Sequence, residues 1–192
     1  MKYFIQVSLT TYIAAILVYA LWATITFAEL DKGWIGSIVY LPHGPRVLFY
    51  CFFGFRALPA LFLAETTGPA LVYGEQYPDY WAIANMGSLL CVVLAVEIVK
   101  WSRVTTFNYS ILNKINFANY KFLILVIIIS ALLNSIFTNL IVSAFNSDMQ
   151  ITVNVVFRFF IGDIAGAAVF LMYLMIMFQL LRKRKIYKVN DN

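Results

Sequence analysis

Six ionisable side chains stand inside long apolar runs of this sequence, where charge is costly: His43, Arg46, Glu65, Glu97, Arg158 and Asp163. Glu97 lies three residues before Lys100, one helical turn away, and is expected to form a local ion pair. The others sit deeper. An isolated charge at the centre of a membrane helix costs about 2.5 to 3.5 kcal/mol, so Arg46, Arg158, Glu65 and Asp163 left alone would cost on the order of 10 kcal/mol together. Two cations and two acids balance, and pairing inside a bundle removes most of that cost. Asn134 and Asn139 fall at similar depth and can join them. Such a cluster supports two kinds of chemistry. It can be a structural knot that fixes which helix packs on which, or it can line a water-accessible cavity and bind a ligand or ion.

Spacing constrains the partners. Five residues turn a helix by about 500°, which leaves Arg158 and Asp163 about 140° apart. Each must therefore find its partner on another helix. The expectation is Asp163 toward Arg46 or Arg56, and Arg158 toward Glu65, Asn134 or Asn139.

The elements that position these residues follow from composition. With 62% hydrophobic and 12% charged residues and a mean hydropathy of +0.83, the chain reads as a polytopic membrane protein. Its apolar runs are continuous and do not alternate with period two, which selects a helical bundle over a barrel. The expected fold is an all-α integral membrane protein, a single domain over residues 1–192 with about six transmembrane helices. The spans run from about Phe4 to Ala28, through two segments within 34–74 that meet at "GFRALP" (54–59), then Trp81–Val99, Phe122–Phe145 and Ile151–Leu181. With that count, eleven of the fourteen basic residues share one side: Lys2, Arg56, Lys100, Arg103, Lys114, Lys121, Arg182, Lys183, Arg184, Lys185 and Lys188. Glu29, Asp31, Lys32, Glu75, Asp79 and Asp148 take the other. The positive-inside rule then puts both termini in the cytoplasm, with 182–192 a basic cytoplasmic tail. The net charge of +5 is topology, with membrane lipids as the partner of the tail and no role for nucleic acid.

Several chemistries are not expected. Cys51 and Cys91 lie in apolar segments and read as packing residues. A single histidine, with no CxxC, HExxH, GxxxxGK[ST] or GxSxG, gives no metal site, no cofactor and no catalytic residues. An enzyme built on His43, an arginine and Cys51 lacks a placed nucleophile.

Backbone breakers sharpen the map. "YLPHGPRVL" (40–48) puts Pro42, Gly44 and Pro45 inside a span, so the helix must break or kink. Broken backbone at membrane depth requires burial in protein or contact with water. A helix restarting near Pro45 aims its positive end beside His43 and Arg46, which suits an anion or carboxylate; a packing kink satisfied by Glu65 is the other reading. Gly54 and Pro59 flank Arg56 at the turn. Gly162 and Gly166 form a GxxxG surface for close helix packing, within the chain or between copies.

Two stretches carry a family resemblance. "YLPHGPRVLFYCFFGFRALPALFLAE" resembles the opening motif of the MASE-type membrane-associated sensor domains, and "FIGDIAGAAVFLMYLMIMF" resembles their closing motif. The order and separation agree over Ile35 to about Phe178, and Pro42, Gly44, Gly54, Arg56, Pro59, Gly162, Asp163 and Gly166 match. The resemblance implies a non-catalytic sensory module in the bacterial inner membrane that signals to a cytoplasmic output. The family commonly has about eight spans against the six read here, and no output domain lies within the 192 residues. A signalling role therefore needs a partner membrane or signalling protein. Two further expectations stay open: a small substrate-binding subunit of a membrane transporter, or an accessory subunit of a larger membrane complex.

Overall fold

A computed structural model describes residues 2–30, 37–73, 80–102, 117–145 and 151–190 of the chain. Asp31, Lys32, Glu75, Asp79, Arg103, Lys114 and Asp148, on which the charge asymmetry partly rests, lie outside the described residues, as do residues 191 and 192. Every regular element among the described residues is helical: α1 (Lys2–Leu30), α2 (His43–Phe53), a 3-10 turn (Gly54–Arg56), α3 (Leu58–Tyr73), α4 (Trp81–Trp101), α5 (Phe117–Phe145) and α6 (Val153–Asn190).

Four of these helices contain stretches long and apolar enough to cross a membrane: Lys2–Thr26, Trp81–Trp101, Tyr120–Phe145 and Val153–Leu181. The outward faces are apolar too. Leu9, Ile13, Leu17, Leu21 and Ile25 are exposed at four-residue steps on α1, while Val7, Thr11, Ala15, Tyr19, Trp22 and Thr26 are buried. A helix packed on one side and facing water on the other would carry polar residues at the first set.

The region expected to hold two full spans is built differently. α2 has 11 residues and α3 has 16, about 16 Å and 24 Å at ~1.5 Å per residue, against a hydrocarbon core of ~30 Å. The cause is local. Pro42 and Pro45 lack backbone N–H groups and are tolerated only at a helix start, so α2 begins at His43 and residues 37–40 stay non-helical. That segment is held by its neighbours. The Trp22 indole Nε1 donates to the Val39 carbonyl at 2.8 Å, and Tyr19, Trp22 and Tyr40 meet edge to face. Tyr40 N–H donates to the Gly162 carbonyl of α6 at 2.9 Å.

Gly162 and Gly166 receive this non-helical segment instead of another helix. A Cβ on Gly162 would strike the Ser37 carbonyl, and one on Gly166 the Tyr40 carbonyl. The GxxxG surface is thus a backbone-on-backbone seat. At the other end of α2, Gly54 adopts φ 58°, a left-handed conformation that favours glycine; it turns the chain into the 3-10 turn. Pro59 then occupies the first turn of α3, where no intrahelical donor is lost.

Contacts fix the helix directions. Arg56, just before α3, lies over the Tyr3 ring at the start of α1, while Gly68 meets Tyr19 further along, so α1 and α3 are parallel. Tyr80 stacks on Phe145 and Ser88 reaches Asn134, which makes α4 and α5 antiparallel. Gly44 packs on Phe170 after Tyr40 meets Gly162, so α2 runs with α6. The main core gathers Val47, Tyr50 and Cys51 of α2, Val92, Ala95, Val96 and Val99 of α4, Phe122, Leu123, Val126 and Ile127 of α5, and Ala167 of α6.

Gly166→Ala tests the seat against a control. Its methyl meets rigid backbone, whereas the methyl of Gly87→Ala meets the tip of the Ile141 side chain, which can rotate away. Unfolding in mild detergent should show Gly166→Ala about 1 to 3 kcal/mol less stable than the parent and Gly87→Ala well under half of that loss. Equal losses would remove the seat as an explanation.

Candidate functional site

α2 is the hub of the polar groups because it starts inside the bundle. His43 and Arg46, both in its first turn, are carried to depth and touch groups on α3, α4, α5 and α6. Arg46 Nε donates to Glu65 Oε1 on α3 at 2.5 Å, and Arg46 NH1 donates to Ser88 Oγ on α4. Ser88 Oγ donates to Asn134 Oδ1 on α5 at 2.6 Å. Asn134 Nδ2 donates to Asp163 Oδ2 on α6 at 2.6 Å. Every link points the same way, from guanidinium toward carboxylate, so each bond polarises the next.

The remaining polar atoms orient this chain. Thr138 Oγ1 donates to Asn134 Oδ1 at 2.6 Å, which fills that oxygen and leaves the Asn134 amide nitrogen to face Asp163. Asn85 Nδ2 donates to the Glu65 carbonyl at 2.8 Å. The Arg46 guanidinium also lies over the Tyr40 ring, 5.7 Å from its centroid. His43 stands on the far side: its Nε2 is 3.1 Å from Ser130 Oγ and its Nδ1 is 3.7 Å from Asp163 Oδ2. His43, Arg46, Glu65, Ser88, Ser130, Asn134 and Asp163 each expose 4% or less of their surface. Two polar atoms in this set, His43 Nδ1 and Glu65 Oε2, make no hydrogen bond.

Five of the eight ionisable and amide residues singled out from the sequence therefore meet: His43, Arg46, Glu65, Asn134 and Asp163. Their pairing differs from expectation. Asp163 receives its hydrogen bond from Asn134, and Arg46 reaches it only through Ser88 and Asn134. Arg56 is exposed at the end of the bundle near Tyr3. Asn139 turns back on its own helix, with Nδ2 donating to the Ser135 carbonyl at 2.6 Å. Arg158 is half-buried on α6. Glu97 pairs with Lys100 at 2.6 Å.

Ser88, Ser130 and Thr138 join the site without a charge to mark them in the sequence. Ser130, Asn134 and Thr138 recur every four residues in α5, which puts them on one face. That stripe is a readable signal. Among the described residues no group of three or more His, Cys, Asp or Glu side chains could hold a metal ion.

No protein-family model matches the chain, and neither a curated protein sequence nor a solved structure matches it significantly. The geometry of the site is what carries the functional reading.

The Arg46–Glu65 pair makes a stability prediction. Removing one partner of a buried ion pair costs about 3 to 5 kcal/mol, whereas replacing both with apolar residues is often close to neutral. Glu65→Ala should therefore destabilise the protein strongly in detergent unfolding, and Arg46→Met combined with Glu65→Met should recover most of the loss. A double variant no better than the single one would mean that the unpaired guanidinium is not the source of the loss.

Proposed function

We propose that the chain is a non-catalytic sensory and interaction module of a bacterial inner membrane, in which the polar network sets the state of α6 and α6 presents that state to a partner at the cytoplasmic face. One observation carries this reading. Asp163, inside the network, and the basic segment that follows belong to one uninterrupted helix of 38 residues, about 57 Å long at ~1.5 Å per residue. A bilayer core needs only ~20 residues, so the helix is long enough to continue well past it. The resemblance to MASE-type domains supports the same reading.

In this reading the membrane is crossed six times. α2 with the non-helical residues before it makes one composite crossing and α3 another. The clustering of basic residues in the sequence supports termini on the cytoplasmic side. Cysteine substitutions at Lys2 and Lys188 should resist a membrane-impermeant thiol reagent in intact cells, and one at Glu75 should react. Photo-crosslinkers at Lys185 and Lys188 in the full chain should capture a membrane partner in the parent and lose or redistribute that capture in Asp163→Asn at equal protein abundance. Capture that ignores Asp163 would end the proposal.

The break before α2 favours one alternative. Discontinuous helices beside a buried arginine bind carboxylates in membrane transporters, so a small substrate-binding transport subunit is the second reading. It predicts that millimolar acetate raises the unfolding temperature of the parent and not that of Arg46→Met. No shift in either protein would exclude it for that class of ligand.

A further inference from the structure

The network holds more acid than base. Arg46 is its one permanent cation among the described residues, and it faces two carboxylates, Glu65 at 2.5 Å and Asp163 through Ser88 and Asn134. The other ionisable side chain in contact is His43. All four are buried among apolar residues, where a net charge is expensive because little solvent relaxes around it. With every acid ionised and the imidazole neutral, the cluster is one unit negative. One added proton makes it neutral.

The geometry gives that proton a place. His43 Nδ1 makes no hydrogen bond and points to Asp163 Oδ2 across 3.7 Å, a gap too wide for a hydrogen bond and narrow enough to become one with a small shift. Ser130 occupies Nε2 on the opposite side of the ring. Asp163 Oδ2 is already fixed by Asn134, so the imidazole is the adjustable member. We propose that the cluster is a proton-binding site that takes up a single exchangeable proton, shared between Asp163 on α6 and His43 on α2. Uptake converts one H⁺ and the anionic cluster into a neutral one, with the proton on a carboxyl oxygen or on Nδ1; release reverses it, and no other reactant is needed.

Other ionisable groups lie on the elements packed around the pair, α5 excepted. Arg46 lies on α2 and Tyr40 directly before it, Glu65 on α3, Cys91 on α4, Arg158 on α6, and Tyr19 on α1 beside Tyr40; α5 contributes the neutral Asn134 and Ser130. Of these, Arg46 and Glu65 join Asp163 and His43 in the hydrogen-bonded set. The site depends on burial and charge count alone, and it holds whether or not α6 docks on a partner.

Charge counting makes an unusual set of forecasts. Asp163→Asn and Glu65→Gln each leave one acid against Arg46, so either removes the need for the proton. His43→Asn leaves both acids, so the proton stays and moves wholly to a carboxyl group. His43 is the single histidine of the chain, so ¹⁵N-histidine labelling of the full protein, purified through a tag without histidine and placed in lipid nanodiscs, reports on it alone. The parent, titrated downward from alkaline pH, should gain either an imidazolium ¹⁵N signature or, above about pH 6 where ordinary carboxylates remain ionised, a protonated-carboxyl C=O band in the infrared difference spectrum. Asp163→Asn and Glu65→Gln should lose that signal, and His43→Asn should retain it as the carboxyl band. Helical circular dichroism and unfolding temperature establish that each variant is folded; either acid variant suffices if the other does not fold. A parent that shows neither of these two signals while it stays folded overturns the proposal. So does a folded acid variant that keeps the parent signal.

Discussion

A guanidinium buried among apolar side chains is the constraint on which the rest of the bundle depends. Arg46 cannot reach water, so its charge has to be met from several directions at once, and the donors of its planar fork do this with few moving parts. One edge takes Glu65 directly, while NH1 sends its influence through a hydroxyl and an amide to Asp163. α3, α4, α5 and α6 are thereby tied to α2 by one group. Apolar packing between helices is forgiving about rotation and register; a chain of directed hydrogen bonds is not, because each donor has to face its acceptor. The network therefore selects one arrangement of helices that hydrophobic contacts alone would leave less specified.

The broken second helix follows from the same need. A continuous helix over 34–53 would pass through this level with its backbone closed on itself. Starting at His43 instead, with two prolines and a glycine at the break, α2 brings an imidazole and a guanidinium into the bundle on its first turn and leaves a non-helical stretch before it. That stretch has backbone groups to satisfy, and Gly162 and Trp22 supply the partners for Tyr40 N–H and the Val39 carbonyl. The glycines of α6 are small because a chain crosses them, and the aspartate one residue after Gly162 is thereby brought up to His43. Backbone seat and charge site are two sides of one contact between α2 and α6.

Much of this is legible in the residues. Composition points to long apolar helices, and charge set within apolar runs picks out His43, Arg46, Glu65 and Asp163 from the sequence alone. The prolines at 42 and 45 announce the break. Pairing is less legible, because residue depth along a helix can be read from a sequence and rotation between helices cannot. Charge alone assigns Asp163 to an arginine, yet an amide sits between them. Arg56 belongs to the same arithmetic and lies at the bundle end, since a 3-10 turn follows a helix only 11 residues long. The small neutral side chains that relay the interaction, Ser88 above all, have no charge to give them away; only the four-residue recurrence of Ser130, Asn134 and Thr138 hints at a polar face.

The seat of residues 37–41 on Gly162 and Gly166 also bears on how such a chain is made. Well over half of the sequence separates Tyr40 from Gly162, and α2 leaves the ribosome long before α6 exists. Until then its arginine lacks the relayed carboxylate, its histidine lacks Asp163, and the non-helical stretch lacks its surface. α1 and α3 can receive the segment early, through Trp22 and Glu65, but the second helix gains its full set of partners only when the sixth arrives. An early element is thus completed by a late one, and maturation of the bundle waits on the synthesis of α6.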